Sequence, residues 1–315
     1  MRNAFASEIT ALAQHNPNVV LLSGDIGNRL FDKFKEAAAE RFYNVGVAEQ
    51  NMIGVAAGMA MTGLRPITYT ITSFTTARCL EQIRVDVCYH NLPVTIVGVG
   101  SGLGYASLGV THHSCEDVAC LGALPNMTVL APGDAFETRA ALRAAVAHDG
   151  PVYIRLGKKG EPKVHSEVPT NFKIGKGLIL QEGDAVCIIS SGTVLPVAME
   201  AGKRLTEAGL PARVVSLHTV KPMDEVLLAE CSARYAVIAT IEEHSILGGV
   251  AARVSQWMTA NQVTDTRLLT FATADHFMKT AGEQDYAREH YGITADAIFE
   301  QVRAAATRKK LQRTA

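Results

Sequence analysis

The fold is decided by the stretch Phe42-Tyr43-Asn44-Val45-Gly46-Val47-Ala48-Glu49-Gln50-Asn51, which continues as Met52-Ile53-Gly54-Val55-Ala56-Ala57-Gly58. A short β-type run ends at Gly46, and a helix rich in small residues then begins with a carboxylate, Glu49, in its first turn. Glycine and alanine let another backbone or a flat ligand approach closely. The macrodipole favours an acid at a helix start, and the apolar residues around this one indicate partial burial. The stretch therefore predicts a strand, a turn and a helix that carries a candidate functional carboxyl group.

The same strand-then-helix order repeats along the chain. Continuous apolar runs predict buried strands, and segments with helical spacing separate them. The predicted strands cover residues 18–22, 41–45, 66–71, 93–97, 128–130, 152–154, 185–189, 212–217, 235–239 and 267–271. The predicted helices cover residues 3–15, 31–40, 48–63, 76–90, 134–147, 194–208, 224–233, 249–260 and 294–306.

A polar, proline-containing stretch interrupts this pattern at residues 158–174 and is predicted to be a linker. Apolar strands that alternate with helices indicate a mainly parallel sheet covered by helices. We therefore predict an α/β fold with two consecutive α/β domains, at residues 1–157 and 175–315. A chain of 315 residues is long enough for two domains of ordinary size.

Composition argues against several classes of function. The formal net charge of −1 provides no electrostatic footprint for nucleic acid or for an anionic membrane surface. The six cysteines contain no Cys-x-x-Cys pair, which argues against a zinc site or a disulfide framework and fits a reducing compartment. No apolar run reaches membrane-spanning length. These features predict a globular, soluble protein of the cytoplasm.

The stretch from Phe42 to Gly58 resembles the cofactor-activating segment of thiamine-diphosphate enzymes of the transketolase and deoxyxylulose-phosphate synthase type. Further segments follow in the order of that family and extend the resemblance over nearly the whole chain. They are Arg65-Pro66, Glu81-Gln82-Ile83-Arg84, Asn91-Leu92-Pro93-Val94, Gly109-Val110-Thr111-His112, Ser191-Gly192-Thr193, Val220-Lys221-Pro222-Met223-Asp224 and Ile241-Glu242-Glu243-His244. The resemblance implies a pyrimidine-binding domain followed by a transketolase-type C-terminal domain.

The resemblance also implies that Glu49 is catalytic and binds thiamine diphosphate. In the family the matching glutamate hydrogen-bonds a ring nitrogen of the aminopyrimidine and so promotes removal of the proton from the thiazolium carbon. A carboxyl group that shares a proton with a weakly basic ring needs a dry site. The alternative is a Glu49 that only complements the helix dipole. The family-ordered segments along the rest of the chain favour the catalytic interpretation.

Half of the cofactor site is missing from this sequence. Full-length relatives carry another domain whose Gly-Asp-Gly and downstream Asn bind magnesium and the diphosphate. The nearest match is Gly24-Asp25-Ile26, with Asn51 inside the Glu49 helix, and we reject it as a metal site. The resemblance therefore implies an N-terminal transketolase-like partner subunit that holds Mg²⁺ and the diphosphate. It implies a heterotetramer with two copies of each chain, and no metal site on this chain itself.

Four more residues are assigned to the cofactor side through the resemblance. Asp25 matches an aspartate that lies near the cofactor, or it only caps the following turn. The flat aminopyrimidine needs a platform, for which Phe74 is preferred to Ile71 because π faces suit flat rings. A Phe in an apolar region is also a common core residue, so both interpretations of Phe74 stay open. The resemblance also implies that Arg78 is a cofactor-binding residue.

The glycine-rich loop after the strand at 93–97 is assigned to the substrate. It reads Gly98-Val99-Gly100-Ser101-Gly102-Leu103-Gly104, which does not match a dinucleotide-binding Gly-x-Gly-x-x-Gly. His112 matches a histidine that contacts the reacting oxygen, where an imidazole donates or accepts a proton near neutral pH. Gly100 and His113 replace a histidine and a glutamine of relatives. The two adjacent histidines mimic a metal site but lack a carboxylate or thiol at convincing ligand spacing.

Two arginines match residues that grip the substrate phosphate in the family, namely Arg155 and, less closely, Arg2. A guanidinium binds phosphate, sulfonate or carboxylate through paired hydrogen bonds. The alternative for Arg155 is an ion pair at a strand end. At the position of Ser107-Leu108, relatives carry an acidic residue that recognises the hydroxyl groups of the sugar. The absence of this acid weakens the case for an ordinary sugar phosphate as substrate.

The resemblance as a whole implies the C-terminal subunit of a split transketolase. Such a subunit would act, with its partner, as a transferase that moves a two-carbon ketol unit between an anionic ketose and an aldose or aldehyde. Two alternatives stay open. Arg78 and the second domain also fit a synthase that decarboxylates a 2-oxo acid and adds it to an aldehyde. The second alternative is a regulatory subunit without catalytic activity, although such a subunit would not need the carboxylate of Glu49.

Overall fold

Two sheets organise residues 1–314, the part of the chain that the computed structural model describes. Its strands, numbered β1 to β12 in chain order, are Val19–Ser23, Phe42–Asn44, Arg65–Ile71, Thr95–Val99, Thr128–Leu130, Val152–Leu156, Leu178–Gln181, Val186–Ser191, Ala212–Ser216, Thr219–Lys221, Val237–Ser245 and Arg267–Thr273. Its helices, numbered α1 to α12, are Arg2–His15, Asp32–Ala38, Glu49–Met61, Thr72–Thr75, Leu80–Gln82, Asp117–Gly122, Ala135–Ala147, Leu195–Glu207, Glu225–Arg234, Val250–Ala260, Gln284–His290 and Ala295–Thr314.

The strand order is β10-β5-β6-β4-β3-β1-β2 in the first sheet and β12-β11-β8-β9-β7 in the second. Neighbouring strands are parallel except for β10 against β5 and β7 against β9. The central strands are buried along their whole length, as expected for sheets covered by helices on both faces. The predicted α/β fold, with two consecutive and mainly parallel domains, is confirmed.

The structure differs from the predicted elements in two ways. The helix expected at residues 76–90 is broken into a turn, α5 and a π-helical segment at Ile83–Tyr89. The hydroxyl of Thr76 donates to the carbonyl of Thr72 at 2.8 Å, a local bond that bends helices. Five short elements, β7, β10, α4, α6 and α11, are absent from the prediction because segments of three to seven residues show too little periodicity.

The two domains share strands and core. Strand β10 follows β9 of the second sheet in the chain, yet it pairs with β5 at the edge of the first sheet. One apolar cluster also continues across both domains, from Ile53 and Ile96 to Ile189 and Val250. Within residues 1–314, no helix combines the length and the apolar character needed to cross a membrane.

Candidate functional site

The parallel strands of the first sheet end side by side and bring distant segments together. Ile71 at the end of β3 is in register with Val99 of β4, and Val99 is in register with Leu156 of β6. The segments that follow these three strands therefore begin at one edge of the sheet. In open parallel sheets this carboxyl edge is where ligands bind. The edge carries α4 with Phe74, the loop from residue 100 to His112, and the start of the predicted linker.

Glu49 is the first residue of α3 and lies beside this edge. Its side chain is 2% exposed, so the burial expected from the apolar sequence around it is present. Oε2 of Glu49 accepts a hydrogen bond from Nη1 of Arg78 at 2.7 Å. Arg78 itself is 43% exposed and approaches from the solvent side. The buried Glu49 carboxylate is therefore paired with a flat, half-exposed cation.

Phe74 completes this half of the site. The guanidinium carbon of Arg78 lies 4.5 Å from the centroid of the Phe74 ring, so that the aromatic face is turned toward the Glu49 carboxylate region. Ile71, by contrast, packs against the apolar cluster on the other side of the sheet, together with Ile26 and Phe42. The geometry favours Phe74 over Ile71 as the platform for a flat ring.

His112 extends the site on the far side of Phe74. The centroids of the two rings are 5.2 Å apart in an edge-on arrangement, and the ring of Tyr105 lies 6.0 Å from His112 on another side. Nδ1 of His112 is 2.9 Å from the hydroxyl of Thr111, which fixes the ring orientation. Burial, and then the charge of His113, lower the pKa of His112. The imidazole is therefore neutral at pH 7 and able to accept a proton or a hydrogen bond.

His113 and Gly100 lie near this loop in different roles from His112. His113 is 8% exposed and lines a cavity of about 300 Å³ between the domains together with Thr273 and Tyr291. Gly100 has a φ of +75°, and a Cβ there would lie 2.0 Å from the Tyr105 ring. Only glycine lets Tyr105 fold back toward His112.

Asp25 lies in the bend that follows β1. Its φ is +57°, and its Oδ1 accepts a hydrogen bond from Nδ2 of Asn44 at 2.8 Å. Oδ1 of Asn44 in turn accepts from the backbone N–H of Gly46 at 3.0 Å. This chain of bonds joins the ends of β1 and β2 just ahead of Glu49. It is compatible both with a turn-stabilising Asp25 and with one near a cofactor, so the assignment stays a prediction.

Arg155 is enclosed by protein. Its side chain is 3% exposed and forms an ion pair with Asp117, whose Oδ2 accepts from Nε at 2.8 Å. Nη2 also donates to the carbonyls of Ser114 and Glu243, at 3.4 and 3.1 Å. Burial lowers the pKa of the Arg155 guanidinium, but Asp117, together with Tyr153 and Glu243, outweighs that effect and raises the pKa. These contacts favour the ion-pair alternative over the predicted grip on a substrate anion.

Lys158 is a cation of the site that the sequence patterns do not single out. Its Nζ lies 5.1 Å from the centroid of the Tyr105 ring, and Tyr105 contacts His112. A sequence feature that could have pointed to Lys158 is its position as a second basic residue, three positions after Arg155. Arg2, the other predicted anion contact, lies beside Tyr105. Burial raises the pKa of Tyr105, and the charge of Arg2 acts in the opposite direction. Arg2 also lines a separate shallow cavity with Gly27 and Arg29.

The described residues hold no group of three or more His, Cys, Asp or Glu side chains arranged for a metal ion. The site therefore presents a buried carboxylate, an aromatic face, a neutral imidazole and three cations. This set suits a flat, donor-bearing ring next to an anionic substrate, a combination typical of enzymes that use a heteroaromatic cofactor.

Comparison with known proteins identifies the class. Residues 1–162 match the family described as transketolase, pyrimidine binding domain, and residues 175–298 match transketolase, C-terminal domain. The chain is 34% identical over 304 residues to a putative transketolase C-terminal section of Methanocaldococcus jannaschii, covering 96% of this chain and 95% of that protein. It is also 34% identical over 313 residues to a 6-deoxy-6-sulfo-D-fructose transketolase subunit of a Clostridium strain, covering 99% and 96%.

A solved structure described as a split gene transketolase in an inactive beta4 tetramer is 36% identical, with a TM-score of 0.89 over 97% of this chain and 98% of that one. A 1-deoxy-D-xylulose-5-phosphate synthase of Geobacter sulfurreducens is 36% identical over 301 residues, which span 93% of this chain and 46% of the synthase. The chain belongs to the transketolase family, a thiamine-diphosphate-dependent family, and the resemblance inferred from its sequence is confirmed.

Proposed function

We propose that this chain is the pyrimidine-side subunit of a split transketolase, and that it transfers a two-carbon ketol unit together with a partner chain. The observation that carries the proposal is the buried Glu49 carboxylate next to the open face of Phe74. The residues present fit the cofactor's aminopyrimidine, because the flat guanidinium of Arg78 already lies on Phe74 and donates to Glu49. When bound, thiamine diphosphate would supply a carbanion equivalent that accepts and donates the ketol unit.

The chain's own groups have separable tasks in this proposal. Glu49 holds a proton at the ring edge, in a site dry enough for the carboxyl to share it. Phe74 orients the ring by its face. His112, neutral at pH 7 and held by Thr111, moves a proton at the substrate oxygen. Asp25 supports the turn that presents Glu49, next to the predicted cofactor position.

The diphosphate and Mg²⁺ are assigned to a partner subunit. The chain lacks Gly-Asp-Gly, and the described residues include no metal-binding cluster. Relatives of similar length named as a transketolase C-terminal section and as transketolase subunits support a split enzyme. The beta4 tetramer of the related structure is inactive by its own description, which supports the need for a second kind of chain. We propose a complex with two copies of each subunit.

This division can be tested by binding. The full chain alone should bind thiamine diphosphate with Mg²⁺ at least about 100-fold more weakly than the complex, because the diphosphate contributes charge-assisted contacts that this chain lacks. Isothermal titration of the cofactor into the chain, with and without a partner that contains Gly-Asp-Gly, measures the difference. Tight Mg²⁺-dependent binding by this chain alone would contradict the proposal.

We propose that the substrate carries an anionic group, and that Lys158 and Arg2 at the edge of the site bind this group. One relative is named for a sulfonated sugar and another for apulose 4-phosphate, so sulfonate and phosphate are both represented among split subunits. The synthase-like reaction is the second candidate, favoured by the contact of Arg78 with Glu49 and by the synthase relatives. Release of carbon dioxide from pyruvate by the reconstituted enzyme distinguishes this reaction from ketol transfer.

Lys158→Met should raise the KM for an anionic ketose about tenfold while the free energy of unfolding stays unchanged. The substitution removes a partly exposed charge next to Tyr105 and keeps most of the side-chain length. Steady-state kinetics of the reconstituted enzyme and urea unfolding measure the two effects. Lys159→Met is the matched control, since Lys159 is the exposed neighbour. Equal KM values in both variants would remove Lys158 from the site.

We also propose the domain limits 1–157 and 175–315. The two family matches leave residues 163–174 between them, and no helix or strand is present from residue 157 to 177. The proposed linker therefore begins at the site, where Lys158 lies, and continues to the second domain.

A further inference from the structure

Arg78 lies where the proposed function places the aminopyrimidine. Its Nη1 is 2.7 Å from Oε2 of Glu49, and its guanidinium carbon is 4.5 Å from the centroid of the Phe74 ring. The same two side chains would hold a flat ring, Glu49 by its edge and Phe74 by its face. The guanidinium and the ring therefore compete for one position.

The guanidinium of Arg78 and the aminopyrimidine ring compete because they are similar in shape and in hydrogen-bonding groups. A guanidinium is planar, carries N–H donors along its edge and stacks on aromatic faces. An aminopyrimidine that shares a proton with a carboxylate has the same three properties. A pocket made of one buried carboxylate and one aromatic face cannot distinguish them by shape or by hydrogen bonding.

The backbone around Arg78 is held while its side chain is free to leave. The residue lies in the turn between α4 and α5, and its carbonyl accepts a hydrogen bond from Nε2 of Gln50 at 3.1 Å. The side chain is 43% exposed, whereas Glu49 is 2% exposed. A rotation of the arginine into solvent would open the Glu49 carboxylate without moving the main chain.

We propose that Arg78 is a placeholder for the cofactor ring. In the free chain it pairs with the buried Glu49 charge and covers Phe74, and it is displaced when the aminopyrimidine binds. In this proposal Arg78 lowers the affinity of this half-site for the cofactor, which departs from the cofactor-binding role that the family resemblance implies for it. This inference rests on the proposed role of Glu49, and it makes Arg78 a positioning residue whose removal should strengthen ring binding.

The test uses the full chain and a probe that needs only this half of the site, 4-amino-5-hydroxymethyl-2-methylpyrimidine. Arg78→Met keeps most of the side-chain length but removes the charge and the planar donors. We expect it to bind the probe about two- to fivefold more tightly than the unmodified chain, which is the range for loss of a partly exposed ion pair. Arg78→Lys, which keeps the charge but not the plane, should fall between them. Ligand-observed NMR measures each dissociation constant.

Two variants make the outcomes distinguishable. Arg84→Met is the matched control, because Arg84 forms an exposed ion pair with Glu81 in the neighbouring segment and should leave probe binding unchanged. Glu49→Gln should lose probe binding. Equal or weaker binding by Arg78→Met, with binding still lost in Glu49→Gln, would overturn the placeholder and leave the proposed function standing. Binding that is absent from every variant, or indifferent to Glu49→Gln, would overturn the pyrimidine site itself and the placeholder with it.

Discussion

Glu49→Gln should lower the exchange rate of the thiazolium C2 proton of thiamine diphosphate in the reconstituted enzyme by about 10³-fold or more, within the range for loss of a positioned acid–base group. The glutamine amide has nearly the shape of the carboxyl but cannot share a proton with the ring. The site is dry enough that water does not replace the lost group, since the Glu49 side chain is 2% exposed. Proton exchange followed by NMR at a series of quench times measures the rate.

The substitution should leave the fold almost unchanged. The partner of Glu49 is Arg78, which is 43% exposed and stays hydrated when its ion pair is lost. Glu81→Gln is the matched control, because it removes an exposed carboxylate from an ion pair with Arg84. Both variants should unfold at the same urea concentration as the unmodified chain. Exchange that continues at the original rate in Glu49→Gln would show that this carboxyl group is not the activating one.

Arg155→Met should lower the free energy of unfolding by about 3–5 kcal/mol, the usual effect of removing one partner of a buried ion pair. Asp117 is 1% exposed and would keep only the hydroxyl of Tyr153, which donates to its Oδ2 at 2.6 Å. The carbonyl of Glu243 in the second domain would also lose a donor. The loss therefore affects the junction of both domains, and urea unfolding of the full chain measures it.

A second substitution distinguishes structure from substrate binding at this position. In the double variant Asp117→Leu, Arg155→Met no buried charge remains unpaired, so part of the lost stability should return. Lys158→Met provides the comparison with a cation that faces the site and should not change unfolding. If Arg155→Met instead unfolds normally and raises the KM for the anionic substrate, the role implied by the family resemblance is the correct one.

Much of the fold could be predicted from local patterns. The runs at residues 152–154 and 186–189 lie in strands because apolar residues are continuous there, and the segment from Glu49 to Met61 is a helix because small residues follow a turn glycine. Strand β10 could not be predicted, since its three residues carry no period and its partner β5 is about 90 positions earlier in the chain. Its place is decided by pairing across the domain junction.

Some residues of the candidate site could likewise be predicted from the sequence, whereas others needed the tertiary structure. Glu49 and His112 follow from residue type and family order, and the structure places both around Phe74. The choice between Phe74 and Ile71 needed the direction of each side chain, because Ile71 ends a strand and packs on the opposite side of the sheet. The sequence singles out Arg155 for an anion and not Lys158, and only the surroundings of the two side chains in the structure favour Lys158.

The sequence by itself determined the family, the α/β order of the chain and the presence of a carboxylate at the start of α3, because periodicity and residue type act over a few neighbouring positions. Tertiary structure decided which groups face that carboxylate. Arg78 reaches Glu49 across 29 positions, and Asp117 reaches Arg155 across 38. Such contacts depend on where parallel strands end side by side, and no local pattern contains that information.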